Sequence, residues 1–332
     1  MNHDTTANSS RAVHRPGPAI ALFFLSPLVA EFLLGNLPIT FLPALVLLAP
    51  LYGGGALLIR ESARRFGLGW PSIVLLGLAY GVFEEVFTTQ SLFNPNYLGL
   101  RLLDYGYIPA LGMSAWWTAF VLPLHMIWST SVPIALMETL TPAQRRTPWL
   151  GRTGLTVTVI LFAIASVILL RMELKKGFVA SPLQFSLSAA VILVLIGLAF
   201  KVGRRTPIAS PADRSAPAPL LVGAAAFVVG GAFLLVAHAQ RFLPPFVDAA
   251  CIVALLAGAA ALLVGWSHRA GWNQRHRLAV AAGFLLTYAW YGFRQVPSVG
   301  HVSPRVDLIG NAIFATGALL LLARAIGRVK TE

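Results

Sequence analysis

The chain has 332 residues, of which 57% are hydrophobic and only 11% charged, and its mean hydropathy is +0.75. That balance excludes a water-soluble domain of this length and indicates a polytopic membrane protein. A net charge of +13 would suggest nucleic acid in a soluble chain, but the basic residues sit almost entirely between apolar runs, where they read as topology signals, so no nucleic-acid partner is expected. The single cysteine, Cys251, excludes an internal disulfide, a thiolate zinc cluster and an iron–sulfur site.

Apolar stretches near the ~20 residues that cross a ~30 Å hydrocarbon core predict an all-α bundle of about ten spans: 18–34, 38–59, 71–90, 113–137, 153–170, 183–200, 218–238, 249–266, 278–295 and 307–324. The first run begins like a secretory signal, but it contains Glu31, lacks a small-residue cleavage site and is followed at once by a second span, so it reads as a retained helix. Ten helices with both termini cytoplasmic put 18 of the 25 basic residues inside, which favours that orientation. The organisation is then a cytoplasmic tail (1–17), a six-helix region (18–201), a Pro/Ala/Arg linker (202–217), a four-helix region (218–325) and a second tail (326–332). The arginine- and alanine-rich composition suggests a high-GC bacterial source, hence a cell (inner) membrane location with membrane lipid as a partner.

Inside the third span, YGVFEEVFTTQ places Glu84 and Glu85 where a carboxylate costs roughly 2.5 to 3.5 kcal/mol. Gly77, Gly81, Glu84, Glu85, Thr88 and Ser91 fall on one helical stripe, which must face protein, and the Gly77/Gly81 pair lets a neighbouring helix approach closely. On the fourth span Thr118, His125 and Ser129 share a face. Glu84 is 13 residues from Pro71, and His125 is 13 residues from Glu138 at the corresponding end of its own helix. At about 1.5 Å per residue both lie about 20 Å deep, so they can meet. Adjacent carboxyls beside an imidazole suit general acid and base chemistry; the blander alternative is a polar cluster that only ties helices together.

These residues resemble the CAAX protease and bacteriocin-processing family of glutamate-dependent intramembrane proteases. Its Glu-Glu-x-x-x-Arg motif corresponds to Glu84 and Glu85, with Thr89 in the Arg position. Its Phe-x-x-x-His motif corresponds to His125, with Val121 in the Phe position and Phe120 one residue early. The later His-x-x-x-Asn/Asp motif has no counterpart: His238, His268 and His301 are followed four residues on by Phe242, Trp272 and Arg305. The match covers roughly residues 71–140. It implies Glu84 as base, Glu85 as its partner and His125 as the second catalytic group. No residue is assigned to the oxyanion; Ser129 and Asn311 are the supporting candidates. Arg294, 16 residues into the ninth span, is a candidate counter-ion for the glutamates, with snorkelling to the interface as its alternative.

The expected function is a glutamate-dependent intramembrane endopeptidase or a degenerate relative of one, acting on a membrane-embedded peptide or small molecule with no cofactor. A metal site is not expected, because one histidine and two neighbouring glutamates fall short of a zinc set. A proton-coupled transporter and a non-catalytic peptide- or lipid-binding protein are the alternatives. Loop 91–112 reads as an interfacial lid.

Overall fold

The computed structural model describes residues 16–203 and 215–330. The expected N-terminal tail up to residue 15, linker positions 204–214 and residues 331–332 lie outside them.

Among the described residues ten long helices run in chain order: α1 (Pro16–Leu33), α2 (Ile39–Arg65), α3 (Trp70–Thr88), α4 (Ala115–Leu140), α5 (Arg152–Leu174), α6 (Pro182–Gly203), α7 (Pro219–Ala237), α8 (Pro245–Ser267), α9 (Gln274–Tyr291) and α10 (Pro304–Lys330). Among the described residues nine are long and apolar enough to cross a membrane; α9 is kept off that set by its polar opening, Gln274–Arg277. Proline marks the first or second position of α1, α3, α6, α7, α8 and α10. Its fixed φ and missing N–H suit a helical first turn, where no intrahelical acceptor exists for that N–H. α4 instead starts on Ser114, whose hydroxyl accepts from the Trp117 amide at 3.0 Å. The sole paired strands among the described residues are β1 (Tyr107–Ile108) and β2 (Met113–Ser114), a short hairpin within the loop between α3 and α4.

Helix α4 is the hub. One end packs on α8, its middle on α3, and its other end on α9 and α10. The main core is aromatic. Trp128 stacks on Tyr288 with centroids 4.4 Å apart and donates its indole N–H to the Phe284 carbonyl at 2.7 Å, while Trp116 donates to Ala237 O at 2.9 Å. These tryptophans are therefore buried packing residues whose polar edges are satisfied. Helices before and after the linker share this one cluster, with Trp116, Phe120 and Trp128 against Phe233, Leu285 and Tyr288. Outward faces of α5, α6, α8 and α10 expose Ile160, Ile164, Leu193, Leu262 and Leu320, as lipid-facing helices do.

The expected close approach on α3 is present. A Cβ built on Gly77 would sit 2.6 Å from Thr130 Oγ1, and one on Gly81 would sit 3.2 Å from His125 Cβ. Only glycine lets α3 and α4 come this near, and the contact carries the glutamates to the histidine. Helix α2 runs six residues beyond its expected end at 59. Its arginines are neutralised within the bundle: fully buried Arg60 reaches Glu61 at 2.8 Å and Glu138 at 3.2 Å, and its guanidinium lies 3.4 Å from the Trp149 ring centroid.

Candidate functional site

Four helices change pitch at the same place. Leu28–Leu33 in α1, Ala49–Gly53 in α2, Glu84–Thr88 in α3 and His125–Ser131 in α4 are π-helical. Bonds spanning five residues mark the change, among them Thr89 N to Glu84 O at 2.9 Å, Gly54 N to Ala49 O and Val132 N to Ile127 O. Pro27 precedes the first segment, Pro50 lies in the second and Pro123 stands two residues before the fourth. A proline supplies no N–H to the regular ladder, so the local bonding must shift around it. π-segments are rare and concentrate at functional sites. Here they carry Glu31, Tyr52, the Glu84–Glu85 pair and His125.

These side chains converge. His125 Nε2 lies 2.7 Å from Glu85 Oε1 and 3.0 Å from Glu84 Oε2. Glu84 is 2% exposed, and Glu85 and His125 are 5% exposed. The second oxygen of Glu85 accepts from Thr89 Oγ1 at 3.2 Å and from Ser91 Oγ, which in turn accepts from Trp117 Nε1 at 3.0 Å. Glu85 is thus fully held. Glu84 is not: its Oε2 approaches the imidazole without hydrogen-bond geometry and has no hydrogen-bond partner. Nearby, the buried Tyr80 hydroxyl and Thr88 Oγ1 also lack partners. The imidazole itself is fixed by two rings, Tyr52 stacked at 5.8 Å and Tyr80 edge-on at 5.9 Å, and its Nδ1 lies 3.4 Å from Ser129 Oγ. Tyr52 continues the network by donating to Glu31 Oε1 at 2.5 Å, while Asn36 Nδ2 donates to Glu31 Oε2 at 2.6 Å.

Loop 91–112 closes one end of this cluster. Leu92 and Phe93 are buried, and Gln90, at φ 56°, turns the chain out of α3 while its Oε1 accepts the Ala180 amide at 2.7 Å. Burial, followed by the negative charges of Glu85 and Glu84, pushes the Tyr97 phenol well above its ordinary value. The loop therefore lies within the electrostatic reach of the glutamates.

Two carboxyl groups touching one imidazole nitrogen can share and pass a proton, because all three titrate as one unit in a low-dielectric site. The same donors, which lie within 4.8 Å of one another, could hold a metal ion. Zinc bonds of about 2.0–2.1 Å at tetrahedral angles hold neighbouring donors about 3.3 Å apart. Both observed contacts, at 2.7 and 3.0 Å, are shorter than that spacing, and the one to Glu85 is a hydrogen bond that can carry a proton.

Residues 20–328 match the model of an uncharacterized membrane protein family. The chain belongs to that family. No curated protein and no solved structure matches it.

For this family member the structure unites Glu84, Glu85 and His125 as expected, with Ser129 beside the histidine. Two supporting candidates lie elsewhere. Arg294 is exposed beyond the end of α9, its guanidinium 5.8 Å from the Trp290 ring centroid, and among the described residues no ion pair joins it to Glu84 or Glu85. The expected pairing is therefore corrected: α9 starts four residues earlier than hydropathy suggests and ends at Tyr291, so position 294 falls outside the helix. Asn311 donates to Gly292 O at 2.9 Å, and its Oδ1 lies beside Gly35, so it ties α10 to the end of α9 and the α1–α2 turn. Thr89, in the position of the resembled family's arginine, hydrogen-bonds Glu85 with a neutral hydroxyl. Sequence reasoning missed Glu31, Tyr52 and Tyr80 as members of the network. Glu31 carried a signal, being an acid inside an apolar span; the tyrosines carried none that told which neighbouring helix each ring meets.

Proposed function

We propose that this protein is a glutamate-dependent intramembrane hydrolase of the cell (inner) membrane, with its arginine-rich end cytoplasmic, cleaving a peptide bond of a membrane-embedded substrate. The observation that carries this reading is the contact of one buried imidazole nitrogen with two carboxylates, at 2.7 and 3.0 Å. The likeness of Glu84, Glu85 and His125 to the CAAX protease pattern supports the same chemistry.

In this reading Glu84, the carboxylate with an unengaged oxygen, takes a proton from water as its oxygen attacks the scissile carbonyl carbon. Glu85, fixed by Thr89 and Ser91, holds the imidazole in register. The Tyr80 hydroxyl, buried and unpartnered, donates to the carbonyl oxygen as it becomes an oxyanion, the role for which the sequence offers no residue. As the C–N bond breaks, His125 passes a proton to the departing nitrogen, and the proton held by Glu84 restores the pair. The products are a carboxylate and an amine.

A specific observation also favours a second reading, a proton-coupled carrier: four spans depart from α-geometry around one set of acids, as helices lining a transport site do. One experiment separates them. Purified protein is incubated with a library of single-span peptides in lipid and, in parallel, sealed in proteoliposomes under a proton gradient. Hydrolysis requires new peptide termini that disappear in Glu84→Gln. Intact peptides alongside gradient-dependent flux would select the carrier.

A further inference from the structure

The arginine-rich end of the bundle holds a cavity that none of Glu84, Glu85 and His125 lines. It is about 550 Å³, and its lining includes Arg145, Arg146, Thr147, Trp272, Gln274 and Arg277. Its walls are the turn after α4 and the start of α9, and none of the described lining residues is acidic.

Among the described residues, the carboxylates beneath it are already engaged. Glu138 is bound by Arg64 at 2.6 and 2.7 Å and by Arg60 at 3.2 Å. Glu61 is taken by Arg60 at 2.8 Å, by Arg65 at 3.3 Å and by the amides of Trp149 and Leu150 at 2.8 and 3.2 Å. Those two carboxylates are thus already committed to Arg60, Arg64 and Arg65. Arg145, Arg146 and Arg277 also line the cavity. Among the described residues Arg146 and Arg277 form no ion pair, and the bond of Arg277 to Gln274 Oε1 is a long 3.4 Å. Arg277 sits in the field of Arg146, Arg64 and Arg145, partly offset by the shared Glu138. Convergent guanidiniums in a polar recess repel one another and present planar donors suited to tetrahedral oxyanions. Trp272, which lines the cavity and stacks on His276 at 4.7 Å, adds the amphipathic ring typical of a membrane–water boundary.

We propose that this cavity binds a phosphate group, carried either by an anionic phospholipid or by a soluble phosphate compound. Basic recesses between spans at the membrane surface recognise head groups in this way. Binding here is independent of the acid site.

The test uses the full chain in nanodiscs of phosphatidylcholine, with added phosphatidylglycerol in one arm and inorganic phosphate at matched ionic strength in the other. Apparent affinity is read from the rise in Tm, and native mass spectrometry reads bound lipid directly. We expect at least one arm to raise Tm, and Arg146→Gln and Arg277→Gln each to weaken that response at least about tenfold, the loss of one charge-assisted contact. Arg146 is exposed, so its variant tests the site even if Arg277→Gln fails to fold. A response confined to phosphatidylglycerol assigns the site to lipid; one shared by inorganic phosphate assigns it to a solute. If neither arm stabilises the wild type, or Arg146→Gln responds as the wild type does, the proposal is overturned.

Discussion

His125 and Glu85, 40 residues apart in the chain, meet at 2.7 Å because α3 carries glycine where α4 crosses it. The contact is a consequence of backbone approach before it is one of chemistry. Gly77→Ala would drive a methyl group against Thr130 Oγ1 and part the helices, at a cost of about 1–3 kcal/mol. Gly197→Ala, with nothing within 4 Å of the new carbon, is the control and should leave Tm unchanged or slightly raised. Thermal unfolding in detergent checks both.

Tyr80 separates function from stability. Its hydroxyl has no partner, so Tyr80→Phe removes no hydrogen bond and should leave Tm unchanged. If that hydroxyl stabilises an oxyanion, peptide turnover falls by a factor of about 10² to 10³. Unaltered turnover would remove Tyr80 from the mechanism.

Tyr52→Phe should behave in the opposite way. The phenol donates to Glu31 at 2.5 Å, and its loss leaves that carboxylate with Asn36 alone. A stability loss of about 1.5–3 kcal/mol is expected for a hydrogen bond to a charged group. Because Tyr52 also stacks on His125, its variant should relax the imidazole, seen as altered histidine resonances in solid-state NMR.

The arginine-rich end offers a contrast of magnitudes. Glu138→Gln removes the charge that binds Arg60 and Arg64 inside the protein, which should cost about 3–5 kcal/mol or abolish expression. Asp104→Asn breaks the exposed Arg101 pair and should cost about 0–1 kcal/mol. Paired denaturation curves measure the difference.

Removal of divalent metal should not change peptide turnover. The donor spacing at His125 suits a shared proton, so activity should survive dialysis against a chelator. Loss on chelation with recovery on zinc would place a metal among Glu84, Glu85 and His125 instead.

The ten helices were legible because apolar runs of the right length leave few alternatives in lipid. The meeting of Glu84 with His125 was legible from depth alone, since both count 13 residues from matching helix ends. Helix ends were less so. Hydropathy stops α2 at Arg60 and delays α9 past Gln274–Arg277, because it counts every arginine as solvated. In the structure Arg60 is buried among partners, and the polar first turn of α9 is capped by Asn273 and lines a basic cavity. That four-residue shift is also why Arg294 was misplaced. The π-segments were invisible, because a widened turn alters hydrogen bonding without altering residue type. Their positions could have been suspected only from Pro27, Pro50 and Pro123.

The most direct measurement compares single-span peptide cleavage by purified wild type and Glu84→Gln, with both proteins first shown to unfold at the same temperature. Wild type should produce new peptide termini, and the variant should do so at a rate lower by at least about a hundredfold. Equal rates from the two proteins, or an untouched substrate in both while a positive-control protease cleaves it, would contradict the proposed hydrolysis.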